Sequence, residues 1–158
     1  MPEVIISPFA RNGIDGYPSA KNYPYWRQLV SMLRQKHSDL YLIQVGVEGE
    51  EDIGCHCFLK GLPLRVLMVL IRGCRTWISV DNFFHHLASY VGKPGVVIFG
   101  VSDPRIFGDS MNVNLLKGRG YLRKDQFGFW TIDYRNDDAY LTPEEVLNVL
   151  EEVIYDRR

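Results

Sequence analysis

Between Thr76 and Gly108 the chain reads TWISVDNFFHHLASYVGKPGVVIFGVSDPRIFG, in which two short apolar runs flank a segment with helical periodicity. The first run, Trp77 to Val80, is rich in β-branched and aromatic residues and predicts a strand. Apolar residues then recur at a spacing of three and four, which predicts a helix that ends near Gly92. The second run, Val96 to Phe99, predicts another strand. Because a helix joins the two strands, the stretch predicts a parallel β-α-β unit and therefore an α/β fold.

The rest of the sequence continues this alternation of strands and helices. Ahead of the central unit, the pattern predicts a strand at 4–6, a helix at 25–37, a strand at 41–45, a weak third strand within 53–60 and a buried helix at 63–73. Behind it, the pattern predicts a last strand at 112–116, an extended loop or hairpin at 118–130 and a closing helix that starts at Pro143 after the cap Thr142. Such alternation favours a mostly parallel sheet with helices on both faces. We therefore predict one domain, 1–158, with the architecture of a Rossmann-like three-layer sandwich.

Charge and hydropathy disfavour several classes of partner. The formal net charge of −1 provides no basic field that would attract nucleic acid or an acidic membrane surface. The longest apolar run, near Leu67 to Ile71, is far shorter than the roughly 20 residues that span a bilayer. The N-terminal MPEVIIS lacks the cationic and apolar regions of a secretion signal. We expect a cytoplasmic protein without a membrane span and without a nucleic-acid partner.

The three cysteines are expected to remain reduced in a chain without a secretion signal. Cys55-His56-Cys57 brings together two thiols and an imidazole, which are good zinc ligands. A structural zinc site needs about four ligands, commonly in two spaced pairs, and no second pair follows. We expect no metal here and interpret the cysteines as small buried sulfurs of a strand or loop.

Chemistry is expected where the strands of the central unit end, because ligands of open α/β sheets lie off the carboxyl ends of the strands. Asp81, Asn82, His86 and the loop from Gly100 to Pro104 fall on this rim. The first backbone N–H groups of the helix, from Asn82 to Phe84, are expected to be free to bind a phosphate. Asp81 would repel an anion, so we expect it to cap the helix or to accept hydrogen bonds from sugar hydroxyls.

Three further interpretations stay open from the residues alone. Lys21, after the first strand, either reaches the same anion as a point charge or is a solvated surface lysine. Glu50, after the second strand, either holds ribose hydroxyls or is one charge of an acidic loop. His86 either donates to a phosphate or is an ordinary histidine at the edge of the core. No GxGxxG motif follows the first strand, so nicotinamide chemistry is not favoured.

The segment VDNFFHHLASYVGKPGVVIFGVSDP resembles the signature of the C-terminal domain of family 9 glycosyltransferases, the group that includes the lipopolysaccharide heptosyltransferases. The positions that match this signature are Asp81, His86, Leu87, Ala88, Gly92, Lys93, Pro94, Phe99, Gly100, Asp103 and Pro104. Upstream, Lys21-Asn22-Tyr23-Pro24 is similar to the Lys-x-Trp/Tyr-Pro loop of that domain. The loop from Gly46 to Glu50 is similar to the one that carries its ribose-binding acid. The resemblance covers most of the chain and is strongest between residues 76 and 104.

The resemblance implies a domain that binds the nucleotide-sugar donor in a metal-independent, inverting GT-B glycosyltransferase. It implies no cofactor, because the nucleotide sugar is itself the substrate. Carried over by position, Lys21 would contact the phosphates and Glu50 the ribose. Asn82 and the neighbouring backbone amides would bind the pyrophosphate, and Asp81 with His86 would contact the donor around its diphosphate. A catalytic residue is not assigned.

The sequence departs from the family pattern at two places in the expected site. The family glycine after Asp-Ser/Thr is Phe83 here, and its side chain could obstruct the close approach of a phosphate to the backbone. Glu48 and Glu51 stand beside Glu50 as rivals for the ribose. The family enzymes also carry an N-terminal acceptor domain that supplies the base, so we expect a second chain or a second copy to complete a transferase.

Three hypotheses follow, of which the first is preferred. The chain is a stand-alone family 9-like domain that binds a nucleotide or nucleotide sugar. Alternatively, it is a degenerate domain that serves as a protein interaction module, which would use Phe83 and the aromatic residues Tyr121, Phe127, Phe129 and Trp130. A complete small enzyme would need a base from Asp15, Asp103 or Asp109, and it is ranked last.

Overall fold

Six parallel strands form the centre of the computed structural model, which describes residues 3–156. The strands are β1 Glu3–Ser7, β2 Tyr41–Gly46, β3 Cys57–Lys60, β4 Thr76–Val80, β5 Val96–Phe99 and β6 Val113–Leu116. Their order in the sheet is β3-β2-β1-β4-β5-β6, and every neighbouring pair is parallel. The sheet is thus wholly parallel, where the sequence predicted a mostly parallel one.

Helices cover both faces of this sheet. They are α1 Trp26–Lys36, α2 Leu64–Gly73, α3 Phe83–Tyr90, α4 Pro104–Phe107 and α5 Pro143–Tyr155, with 3₁₀ turns at Arg119–Tyr121, Ile132–Tyr134 and Asp137–Ala139. One core lies between the sheet and the pair α1 and α5, and a second core lies between the sheet and the pair α2 and α3. This arrangement confirms the predicted Rossmann-like three-layer sandwich. Within residues 3–156, no helix has the length and apolarity required to span a bilayer.

The expected elements all form, including the weakly predicted third strand. The prediction was wrong for α2, which was expected to be buried. Ile71 is its buried residue, whereas Leu64, Val66 and Val69 are 52%, 44% and 65% exposed. The apolar character extends around most of the helix, but the sheet covers one side only. Between 118 and 130 the structure contains a 3₁₀ turn and irregular loop, so the hairpin alternative was also wrong and the loop alternative was correct.

Trp77 on β4 fixes the position of α3 against the sheet. Its side chain is fully buried, and its indole Nε1–H donates to the Lys93 carbonyl oxygen at 2.9 Å. The ring meets Phe84 of α3 edge to face at a centroid distance of 5.5 Å. A Cβ at Gly95 would collide with the indole, so only glycine leaves room for it there. The elements that present the rim are therefore held by one tightly packed aromatic residue.

The direction in which successive strands are added to the sheet reverses at β1, and this reversal creates a crevice at the rim. From β1 the chain crosses to β2 on one side, and later it returns to place β4 on the other side. In a doubly wound sheet, the loops that leave two neighbouring strands in opposite directions separate at such a point and leave room for a ligand. The carboxyl ends of β1, β2 and β4 are therefore where a site is expected.

Thr142 caps α5 as predicted, and its contribution to stability can be measured. Its side chain accepts from the Glu145 N–H at 3.3 Å, and the Glu145 carboxylate accepts from the Thr142 N–H at 2.8 Å. We expect Thr142→Ala to lower the free energy of unfolding by about 1 kcal/mol, because one of the two capping bonds is lost. Urea denaturation followed by circular dichroism measures this change. A variant as stable as the parent would contradict a stabilising cap.

Candidate functional site

A cleft of about 980 Å³ opens at the carboxyl ends of β1 and β2. Its walls include the loop that leaves β1, the acidic loop that leaves β2 and the first turn of α3, and the end of β3 with its connection to α2 contributes Leu59, Gly61 and Leu62. The residues that line it include Ser7, Arg11, Ser19, Glu50, Asn82 and Phe83. The cleft coincides with the crevice that the strand order creates.

Asn82 joins the first turn of α3 to the end of β1. Its side-chain oxygen accepts from the Phe84 N–H at 3.0 Å and so caps the helix. Its amide nitrogen donates to the Ser7 carbonyl and hydroxyl oxygens at 3.3 and 3.0 Å and to the Phe9 carbonyl oxygen at 3.2 Å. The prediction that Asp81 caps the helix was therefore wrong. The prediction that the Phe84 N–H is free was also wrong, because this group donates to the Asn82 side-chain oxygen.

Asp81 lies beneath this turn in a buried cluster of charges. Its carboxylate accepts from the Lys21 ammonium and the His85 Nε2, each at 3.2 Å, and the two donors contact different oxygens. Burial alone would raise the pKa of Asp81, but the hydrogen bond with His85, the charge of Lys21 and the hydroxyl of Ser102 outweigh burial and lower the pKa. Asp81 is thus ionised at neutral pH. The interpretation of Lys21 as a solvated surface lysine was wrong, because the ammonium is an ion-pair partner of a buried acid.

His85 is the residue of this cluster that sequence reasoning missed. Its side chain is fully buried on α3, and its ring lies 3.8 Å from the ring of the exposed His86, measured between centroids. The sequence spacing could have identified it, because side chains four positions apart lie on the same face of a helix, and His85 follows Asp81 by four positions. Burial, together with the charge of His85, lowers the pKa of His86, although Asp81 acts in the opposite direction. His86 is therefore neutral at pH 7, with one ring nitrogen available as a donor and the other as an acceptor.

Two groups of side chains contain potential metal ligands. Asp81, His85 and His86 each place one ligand atom within 4.8 Å of the others, and they form the single such trio within residues 3–156. At the sequence motif Cys55-His56-Cys57, the His56 Nδ1 accepts from the Leu42 N–H at 3.0 Å. Burial raises the pKa of Cys55 to about 12, which keeps the thiol protonated and makes it a poor ligand.

Glu50 is distinguished from its acidic neighbours by its position. Its carboxylate folds back over Gly46 and accepts from the Val47 N–H at 3.1 Å, and partial burial raises its pKa. Glu48 pairs with Lys60 and Glu51 pairs with Arg27, so each has a cation on the protein surface as its partner. Within residues 3–156, Glu50 has no cationic partner, and it lines the cleft.

The six side chains proposed from the sequence fall into two adjoining groups. Glu50, Asn82 and Phe83 line the cleft. Lys21, Asp81 and His86 form the charged cluster next to it, and the two groups meet where Asp81 is followed by Asn82. The side chain of Phe83 is 61% exposed at the cleft wall.

The carboxylates that a complete small enzyme would need already have structural partners. Asp103 accepts two hydrogen bonds from the Arg119 guanidinium, at 3.0 and 2.6 Å, which lower its pKa. Asp15 accepts from the N–H groups of Tyr17 and Ile132 at 3.2 and 2.8 Å. Asp109 accepts from the Met111 N–H at 2.9 Å. These contacts stabilise turns and loop ends and give no support to any of these three carboxylates as the base.

The overall structure was compared with known proteins. No family pattern and no curated protein matches the chain by sequence. Among solved structures, Escherichia coli ADP-heptose lipopolysaccharide heptosyltransferase II superposes with a TM-score of 0.70 at 18% identity, covering 98% of this chain and 47% of that one. E. coli heptosyltransferase WaaC with ADP gives 0.66 at 19% identity, covering 96% and 44%. A glycosyl transferase family 9 structure from Veillonella parvula gives 0.68 at 14% identity, covering 99% and 47%.

These likenesses establish the fold. The chain spans about half the length of the solved structures that it matches. At such low identity the agreement concerns the backbone architecture, and it extends over nearly all of this chain. The protein has the Rossmann-like α/β fold of one half of a heptosyltransferase, as its resemblance to family 9 predicted.

Proposed function

We propose that this domain binds a nucleotide or a nucleotide sugar in the cleft between the β1 loop, the β2 loop and α3. The observation that carries the proposal is the position of Glu50 and Asn82 in one cavity at the strand-order reversal. An acceptor for sugar hydroxyls and a helix start for phosphates are the two groups that a nucleotide requires. The structure of the similar WaaC protein contains ADP, which supports the same class of ligand here.

Each of the six side chains has a role in this proposal. The free oxygen of Glu50 accepts hydrogen bonds from the ribose hydroxyls. Asn82 shapes the first turn of α3, whose remaining N–H groups face the phosphates, and Phe83 packs against the ligand at the cleft wall. Lys21, Asp81 and His86 lie beyond the diphosphate. The neutral imidazole of His86 donates a hydrogen bond to an oxygen atom of the nucleotide sugar. No metal or organic cofactor is part of the proposal.

The proposal extends to glycosyl transfer only with an acceptor site added. An inverting transfer needs a base within hydrogen-bond reach of the acceptor hydroxyl. We propose that a further domain, a second chain or a second copy of this chain supplies both the base and the acceptor site. The domain described here then contributes the donor half of a metal-independent reaction.

Isothermal titration calorimetry tests the proposed ligand. The panel contains nucleoside diphosphates, nucleotide sugars and the matching nucleosides. We expect at least one diphosphate to bind, with the nucleoside binding more weakly because the contacts to the phosphates are lost. Binding should broaden or shift the amide resonances of residues 46–50 and 82–84 in an NMR titration. Failure of every diphosphate and nucleotide sugar to bind would reject the proposal.

Glu50→Gln gives a specific prediction for the ribose contact. The amide has a single acceptor oxygen and no charge, so we expect about tenfold weaker binding of the ribonucleotide. A 2′,3′-dideoxynucleotide should bind parent and variant equally, because it lacks the hydroxyls that Glu50 contacts. Glu48→Gln, on the same loop but paired with Lys60, is the matched control and should change neither affinity. Equal weakening of both nucleotides by Glu50→Gln would contradict the assigned role.

The alternative, an interaction module without catalysis, receives less support. Phe127 and Phe129 are 81% and 73% exposed, as such a module requires. Trp130, however, packs against the core, and its ring lies 4.8 Å from the Arg123 guanidinium and 5.5 Å from the Lys21 ammonium. The aromatic segment thus serves partly to hold the charged cluster beside the cleft.

A further inference from the structure

We infer that Arg11 supplies the positive charge that binds the diphosphate in the cleft, an inference that rests on the proposed nucleotide-binding function. Neither the family-like motifs nor the spacing of charges in the sequence points to this residue. What distinguishes Arg11 is its lack of an ionic partner within residues 3–156 and the fixed position of the β1 loop.

The cations near the rim differ in whether their charge is already balanced. The Lys21 ammonium lies 3.2 Å from the carboxylate of Asp81, and the pair is largely buried. Arg135, which lines the cleft, contacts both oxygens of Asp137, at 2.9 and 3.3 Å. Each of these cations therefore belongs to a neutral pair and offers little net attraction to an anion.

Arg11 is the exception among the cations that line the cleft. Within residues 3–156, its guanidinium makes no hydrogen bond and no ion pair with protein groups. It lines the same cavity as Glu50, Asn82 and Phe83. A guanidinium offers five N–H donors in a planar fork, which can bind two phosphate oxygens at once.

The backbone that precedes Arg11 is fixed against the start of α3. The Phe9 carbonyl oxygen accepts from the Asn82 side chain at 3.2 Å, and the Ala10 N–H donates to the Asn22 side chain at 2.8 Å. Two anchored residues thus lead directly to Arg11, beside the turn that faces the phosphates. Only its side chain has to order when a ligand binds, which limits the entropic cost of the contact.

The charges of the cleft then specify the orientation and class of the ligand. Glu50 and Arg11 line the same cleft with opposite charges, so the carboxylate suits a hydroxyl-bearing ribose and the guanidinium suits a diphosphate. Phosphates placed beside Glu50 would be repelled by its carboxylate. Lys21 keeps Asp81 ionised and in place, while Arg11 provides the net charge. The ligand class is therefore a ribonucleoside diphosphate, free or joined to a sugar.

Calorimetric titration of Arg11→Gln with a nucleoside diphosphate and with its nucleoside tests the inference. We expect about 10- to 100-fold weaker binding of the diphosphate, because charge-assisted hydrogen bonds are lost, and unchanged binding of the nucleoside. The affinity of the parent should fall more steeply with salt than that of the variant. Arg11→Lys should restore part of the affinity as a point charge. Arg65→Gln, the same substitution on the exposed surface of α2, is the control and should bind like the parent.

The outcomes separate this inference from the proposed function. If the parent binds the diphosphate and Arg11→Gln binds it equally well, Arg11 has no such role and the nucleotide site stands. If the variant loses diphosphate and nucleoside affinity to the same extent, the substitution has altered the cleft in general and the inference is overturned. If the parent binds no diphosphate, the nucleotide site itself is rejected, and the inference with it.

Discussion

Replacing Lys21 with methionine is expected to lower the free energy of unfolding by about 3 kcal/mol. The methionine keeps much of the aliphatic stem, so the main change is the loss of the ammonium beside Asp81. The side chain of Asp81 is 4% exposed, and its carboxylate would remain buried with His85 and Ser102 as its partners. A buried charge without its counter-ion costs far more than the same loss at the surface. Urea denaturation at pH 7 measures the difference.

The penalty of Lys21→Met should depend on pH with a definite sign. The pKa of Asp81 is lowered in the folded protein, so its stabilising contribution is present above its unfolded value near 4 and is lost as the pH falls through the folded pKa. Without Lys21 the folded pKa rises. Parent and variant should therefore differ most at neutral pH and converge as the pH falls below about 4.

A surface pair gives the control for this substitution. Lys60→Met removes the ammonium that lies 3.5 Å from the exposed carboxylate of Glu48. We expect less than about 0.5 kcal/mol of destabilisation, because solvent screens the exposed pair. Similar losses in the two variants, or a loss in Lys21→Met that persists at low pH, would show that the ion pair with Asp81 does not stabilise the fold.

Trp77→Ala is expected to destabilise the protein by about 3–5 kcal/mol. The indole is fully buried, packs on Phe84 and donates a hydrogen bond to the Lys93 carbonyl oxygen. Its removal leaves a cavity in the core beneath α3 and an unpaired backbone acceptor. Thermal and urea denaturation followed by far-ultraviolet circular dichroism measure the loss without relying on tryptophan fluorescence.

Trp77→Phe separates the contribution of apolar packing from that of the indole hydrogen bond. Phenylalanine retains most of the apolar volume but lacks the N–H, so a loss of about 1–2 kcal/mol is expected. A parent-like stability for Trp77→Ala would show that the second core collapses around the gap. The same variants also test the cleft, since Phe84 belongs to the turn that lines it.

The sequence predicted the architecture well because the fold depends on local patterns. The buried run at β4, the helical spacing of α3 and the run at β5 are each contained in a few adjacent residues. Thr142 and Pro143 predict the start of α5, because threonine is a common N-cap and proline is favoured in the first turn of a helix. The exposure of α2 was not predictable in this way, because it depends on how much of the helix the sheet covers.

The candidate site was predicted only in part, because its contacts join distant segments. The positions of Lys21, Glu50 and Asp81 on the rim follow from strand order, but their ionic partners do not. The choice of Asn82 over Asp81 as the helix cap depends on the Ser7 and Phe9 oxygens that the amide also contacts. Those groups become neighbours only once β1 and β4 are paired.

Whether Arg11 has an ionic partner is another property that could not be predicted from the sequence. In the amino-acid sequence, Arg11 and Lys21 are two cations that follow the same strand. One gains a buried acid 60 positions away, and the other gains no ionic partner within residues 3–156. A count of charges therefore cannot distinguish a paired cation from a free one, and the three-dimensional arrangement does.

The central place of β1 in the sheet has a consequence for how the protein folds. The hydrogen bonds from Asn82 to Ser7 join residues 75 positions apart, so the cleft cannot exist in a chain that has folded only its first half. Closing such long loops is slow compared with forming local helices. We therefore expect the ligand cleft to assemble late in refolding, after α1 and α2 have formed. In stopped-flow experiments, the ligand should leave the refolding rate unchanged and should slow unfolding, because it binds a cleft that forms only after the transition state.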